Sequence, residues 1–137
     1  MTVSRWAGGT IVAVTLMASP AFAHHSFAMF DNARSITLKG KVAAFDWTNP
    51  HGYIELDAED GKGATQHYTL ELTSINMLSR AGWTSRSVKF GDRVTTIVSP
   101  LRDGRPGGLL LELVFPDGRK QDPGVPNAQL YKRTPEQ

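Results

Sequence analysis

Apolar and polar residues alternate with a period of two through most of the stretch from Ile36 to Leu72, and then the period changes. Alternation of that kind belongs to strands with one buried face, so the centre of this chain must fold as β-sheet. Ile36 to Trp47 (ITLKGKVAAFDW) reads as a long first strand with Gly40 as a bulge or kink. Thr48-Asn49-Pro50 ends it, because Pro50 lacks a ladder donor and biases Asn49 towards an extended conformation. Gly52 to Ala58 (GYIELDA) turns Ile54, Leu56 and Ala58 to one face. Glu59 to Gly63 (EDGKG) has turn chemistry, and Thr65 to Leu72 (TQHYTLEL) returns as the other arm of a hairpin. In that arm Tyr68, Leu70 and Leu72 point inward, while His67, Thr69 and Glu71 point outward.

The spacing then becomes helical. Ile75, Leu78 and Ala81 mark a short helix within Thr73 to Gly82, with Thr73 or Ser74 as its cap and Gly82 just past its end. A strand from Arg93 to Val98 follows the Gly91-Asp92 turn. The glycine-rich cluster at 102 to 108 (RDGRPGG) precedes a last strand from Leu109 to Phe115. Three strands, a helix and two strands is the order of an all-β protein with one short helix, a five-stranded OB-like Greek-key barrel. An open α+β sheet under one helix is the alternative. Ile54, Leu56, Leu70, Val94 and Leu111 are expected to be buried together.

The flanks read differently. Arg5, the apolar run from Thr10 to Ala18 and the small-x-small Ala21-Phe22-Ala23 form a cleavable export signal over residues 1–23. The run is short for a membrane span and no second one follows. Removing those 23 residues from a 137-residue chain leaves 114, the size of one domain. The domain is expected over residues 24–119, with an extended or disordered, proline-rich tail over 120–137. The chain has no cysteine, so it is neither disulfide-stapled nor a lipoprotein. Without Arg5 its 15 basic residues become 14 against 13 acidic ones, scattered rather than striped. That pattern and export argue against a nucleic-acid partner. The expected location is the periplasm, with no membrane contact once the signal is gone.

"AHHSFAMFD" (23 to 31), "WTNPH" (47 to 51), "AGW" (81 to 83), the K-x-GD turn at 89 to 92 and "RDGRPGG" together resemble the DUF6152 family. The resemblance covers the mature chain to about Arg119 and departs at Phe90, where the family pattern usually has proline. It implies export and one β-rich domain, and it implies no activity.

The four histidines are His24, His25, His51 and His67, and two of them would open the mature chain. A terminal histidine can chelate through its amine and ring, and a further imidazole completes a planar three-nitrogen set of the kind Cu(II) favours. The expected metal ligands are His24, His25 and His51, with His67 or Glu71 adding a fourth ligand or orienting an imidazole. The competing reading is that these histidines are simply solvated or structural, since no HxxxH, HExxH or CxxC spacing is present.

No G-x-S-x-G elbow marks a serine nucleophile. Glu55 and Asp57 share a strand face that ordinarily just meets water. Trp47, Asn49 and Trp83 are candidates for small-ligand contacts. Phe45, Trp47, Tyr53 and Trp83 are expected to cluster where the first two strands meet the helix. The chain therefore reads as an exported binding module for copper or another transition metal. The alternatives are a structural or small-ligand-binding module without metal, and a copper-dependent oxidase. Processing gives the first test: terminal sequencing of the exported protein should begin at His24, and a sequence beginning at Phe22 would remove the terminal chelate.

Overall fold

The structure is a computed structural model that describes residues 27–59, 62–126 and 128. The strands are β1 (Ile36–Asp46), β2 (His51–Glu59), β3 (Thr65–Ser74), β4 (Arg93–Pro100), β5 (Gly107–Val114) and the short β6 (Lys120–Gln121). One helix, α1 (Ile75–Arg80), lies between β3 and β4. Their sheet order is β3-β2-β1-β4-β5-β6, and β3 also pairs with β5 in parallel. The last pairing closes β1 to β5 into a five-stranded OB-like Greek-key barrel. The open sheet is thereby set aside.

Strand β1 serves both halves of the barrel. Its first part pairs with β4 (Ile36↔Val98 to Lys41↔Arg93), and its second part with β2 (Gly40↔Ala58 to Asp46↔Tyr53). Gly40 stands where the two ladders overlap. A Cβ there would lie 2.2 Å from the Asp57 carbonyl oxygen, so only glycine lets the strands cross at that point. The expected irregularity falls slightly later, where the β1–β2 register shifts between Val42 and Ala44.

Ser74 caps α1, its hydroxyl accepting the Met77 amide, and Gly82 follows the helix with φ +86°. The helix is only six residues long because Thr73 and Ser74 remain in β3. Its buried Leu78 faces the start of β2, where a Cβ on Gly52 would come within 3.2 Å of the leucine. The helix therefore caps the barrel end at which β2 begins.

Two apolar clusters result. The larger fills the barrel with Val42, Ile54, Leu56, Leu70, Leu72, Leu78, Trp83, Val94, Val98, Leu110 and Leu113 among others. Phe30, Leu109, Leu111, Val125 and Ala128 form the smaller one. Leu111 thus does not join Ile54, Leu56, Leu70 and Val94 as expected. A register shift opposite Ile97 and Val98 breaks the alternation of β5, so Leu110 and Leu113 face inward and Leu109 and Leu111 outward. The outward pair is covered by the two ends of the domain.

The chain beyond residue 119 stays on the barrel as far as it is described. Lys120 and Gln121 pair with Val114 and Leu113. The Trp83 indole donates to the Asp122 carbonyl at 2.8 Å, and the buried Thr73 hydroxyl to the Pro123 carbonyl at 2.6 Å. Both would be unsatisfied buried donors without this strap. Among the described residues no helix is long and apolar enough to cross a membrane.

Leu70 is fully buried at the centre of the larger cluster. Replacing it with alanine should cost about 2 to 5 kcal/mol in urea unfolding. A loss below about 0.5 kcal/mol, the range of surface substitutions, would contradict this packing.

Candidate functional site

The hairpin β2–β3 has a polar outer face, and its register decides who meets whom. Tyr53 lies opposite Glu71, Glu55 opposite Thr69, and Asp57 opposite His67. Cross-strand neighbours on one face are close enough for direct contact. His67 is held on both sides, its Nδ1 2.7 Å from Asp57 Oδ1 and its Nε2 2.9 Å from Glu55 Oε2. The Thr69 hydroxyl donates to the same Glu55 oxygen at 2.8 Å. The hydrogen bond to Asp57 is the main influence raising the His67 pKa above its ordinary value, with Glu55 adding to it.

His51 opens β2, where the β2–β3 register shifts between His51 and Tyr53. Its Nδ1 sits 2.5 Å from Glu71 Oε1, and both side chains are mostly shielded, at 25% and 16% exposure. The His51 Nε2 has no partner among the described residues. Glu71 therefore fixes one nitrogen of the ring and leaves the other available, which is how a carboxylate orients a ligating imidazole. Burial first, and then the Glu71 charge, push the Tyr53 phenol above its usual pKa, so it remains a neutral donor.

A cleft of about 450 Å³ opens beside this pair, over the parallel β3–β5 seam. Tyr53, Thr69 and Glu71 line it from the hairpin. Leu101, Arg105 and Pro106 line it from the β4–β5 loop, and Met29 and Phe30 from the segment before β1. That segment is laced to the loop: Asp31 N donates to the Pro100 carbonyl, Arg102 N to the Met29 carbonyl and the Arg102 Nε to the Ala28 carbonyl. Met29 and Phe30 of that segment thus stand in the same cleft as Glu71.

The expected site residues divide accordingly. His24 and His25 lie outside the described residues. Glu71 comes together with His51 rather than with His67, four residues away on the same strand. His67 belongs to a separate cluster in which both ring nitrogens are engaged. Among the described residues no three histidine or acidic side chains converge as a metal-binding group.

Trp83 is buried at 2% exposure and uses its N–H on Asp122, while Trp47 is half-buried. Phe45 joins the two, with ring centroids 5.9 Å from Trp47 and 6.1 Å from Trp83. Tyr53 is absent from that group because it lies on the outer face of β2. Asn49 is exposed and precedes Pro50 through a cis peptide bond.

Tyr53, Arg105 and the acidic partners of His67 escape a reading of single strands. Counting back equally from the turn after Glu59 pairs Asp57 with His67 and Tyr53 with Glu71, so the hairpin register carried that signal. Nothing local in the sequence pointed to Arg105.

The model of a family described as "Family of unknown function (DUF6152)" matches residues 12–111. Neither the curated proteins nor the solved structures contain a match to this chain.

Because its pKa is raised on folding, His67 stabilises the folded state when protonated. That contribution is complete below the ordinary histidine pKa near 6.5 and is lost as pH rises through the higher folded value. NMR titration of the His67 ring should give a midpoint above 6.5, and His67→Gln should flatten the pH dependence of unfolding across that interval. A midpoint at or below 6.5 would dissolve the Asp57–His67–Glu55 cluster as described.

Proposed function

The chain belongs to the DUF6152 family, and from that footing we propose that it is an exported, periplasmic binding module for a transition metal, copper foremost. The observation that carries the reading is the Glu71–His51 pair, in which one imidazole nitrogen is held by a carboxylate and the other is left unpartnered among the described residues. A nitrogen so oriented is a ready first-row metal ligand.

The completing ligands would be the amine and ring of His24, with His25 beside them, once the export signal is cut after Ala23. Two features support their reach. Phe27, where the described chain begins, is three residues from His24, a span of roughly 10 Å at most when extended. Met29 and Phe30, just beyond, line the same cleft as Glu71. Phe30 is also buried at 2% exposure, so the segment is anchored before a metal binds and less ordering entropy opposes binding. His67, with both nitrogens occupied, has no direct part in this reading, while Glu71 acts by orienting His51.

Carriage and oxidation are the two uses of such a centre, and oxygen uptake by the copper-loaded protein with a reductant distinguishes them.

Copper titration followed by native mass spectrometry should give one Cu(II) per chain of mature mass. Binding should weaken by about 10- to 100-fold in Glu71→Gln, the loss usual when a partner that orients a ligand is removed. It should weaken more in His51→Ala, and when one extra residue precedes His24. Unchanged affinity with the lengthened terminus would overturn the site.

A further inference from the structure

The cleft contains more than the metal reading uses. Met29, Leu101 and Pro106 supply apolar wall, and its volume of about 450 Å³ is within the ordinary range for small-molecule sites. Three polar groups reach it with capacity to spare. The Tyr53 hydroxyl has no partner among the described residues. Glu71 uses Oε1 on His51, and its other oxygen is unpartnered among them. Arg105 uses Nε on Asp103 Oδ2 at 2.8 Å, which leaves both terminal guanidinium nitrogens without a partner among them.

A purely anionic ligand would meet Arg105 and Tyr53 but be repelled by Glu71, and a purely cationic one would meet the reverse. One molecule that carries both charges next to an apolar body satisfies all three groups. We propose that this cleft binds a free α-amino acid with a large apolar side chain. Its carboxylate lies on the Arg105 guanidinium and the Tyr53 hydroxyl, its ammonium on Glu71, and its side chain against Met29, Leu101 and Pro106. Arg105 suits the carboxylate because its forked donors match two oxygens, and Asp103 holds the fork in place from behind. The site shares Glu71 with the copper reading but uses neither the amino terminus nor the free nitrogen of His51, so the metal-free protein and Arg105→Gln test it separately.

The test uses the purified protein stripped of metal by a chelator, with L-phenylalanine as the probe. Amide resonances of Tyr53, Thr69, Gly107 and Gly108 should shift on titration to millimolar concentrations. Arg105→Gln and Glu71→Gln should each weaken binding roughly tenfold or more, the usual effect of removing one charge-assisted hydrogen bond. Benzoate and phenethylamine divide the ligand in two. Benzoate should bind more weakly than phenylalanine, lose affinity in Arg105→Gln and gain it in Glu71→Gln, which removes the repelling charge, and phenethylamine should show the reverse pattern. Arg105 is on an exposed loop, so its variant tests the proposal even if Glu71→Gln disturbs the hairpin. Absence of shifts at those four amides, equal binding by Arg105→Gln, or benzoate binding as tightly as phenylalanine would overturn it.

Discussion

The parallel seam between β3 and β5 is the contact on which the rest of this molecule depends. It consists of three register pairs, Thr69↔Gly107, Leu70↔Gly108 and Glu71↔Leu109, and it turns a twisted sheet into a closed barrel. Two glycines let β5 close in on its neighbours, Gly107 on β3 and Gly108 on β4. A Cβ on Gly108 would lie 2.3 Å from the Ser99 carbonyl oxygen, and one on Gly107 2.9 Å from that of Thr69. The backbones approach too closely there for any side chain. Closure buries Leu70 on the inside and brings the β4–β5 loop alongside Glu71 on the outside. The cleft is the outer consequence of the same approach that completes the core.

Strand β5 carries a second burden. Gly107 to Leu111 are all buried, because the strand faces the barrel interior on one side and the smaller cluster on the other. That cluster joins Phe30, from before β1, to Val125 and Ala128, from after β6. Both ends of the domain are therefore packed against the same strand, and the cleft wall formed by Met29 and Phe30 rests on this layer. The strap also takes the Thr73 and Trp83 donors, so the polar groups nearest the end of β3 are satisfied by residues some forty to fifty positions later.

The outer face of the hairpin shows how one register can produce two histidines of opposite character. His67 stands between Asp57 and Glu55 and is complete, a cluster that favours a protonated ring and offers nothing to a ligand. His51, at the strand's start, meets a single carboxylate and keeps one nitrogen open. A shift of one residue in the hairpin would exchange inner and outer faces and remove both arrangements. The same geometry keeps Tyr53 neutral beside Glu71, so a donor and an acceptor stand side by side at the mouth of the cleft.

Local chemistry was enough to read the strands, the short helix and their order, because alternation and capping are properties of neighbouring residues. Ile54, Leu56 and Leu70 face inward as their spacing requires, and Ser74 caps the helix as its hydroxyl allows. The barrel followed from that order. The sequence could not say that Gly107 and Gly108 belong to a strand. Glycines beside a proline look like a turn, and only the approach of β3 and β4 explains their small size. Leu111 likewise looked like a partner of Leu70 until a bulge in β5 reversed its face. The site divides in the same way. The residue types were visible in the chain, but the pairing of His51 with Glu71 depends on hairpin register, and the placing of Arg105 in one cleft with Glu71 depends on barrel closure. Those residues are 20 and 34 positions apart, and proximity at that range is set by packing rather than by sequence neighbours.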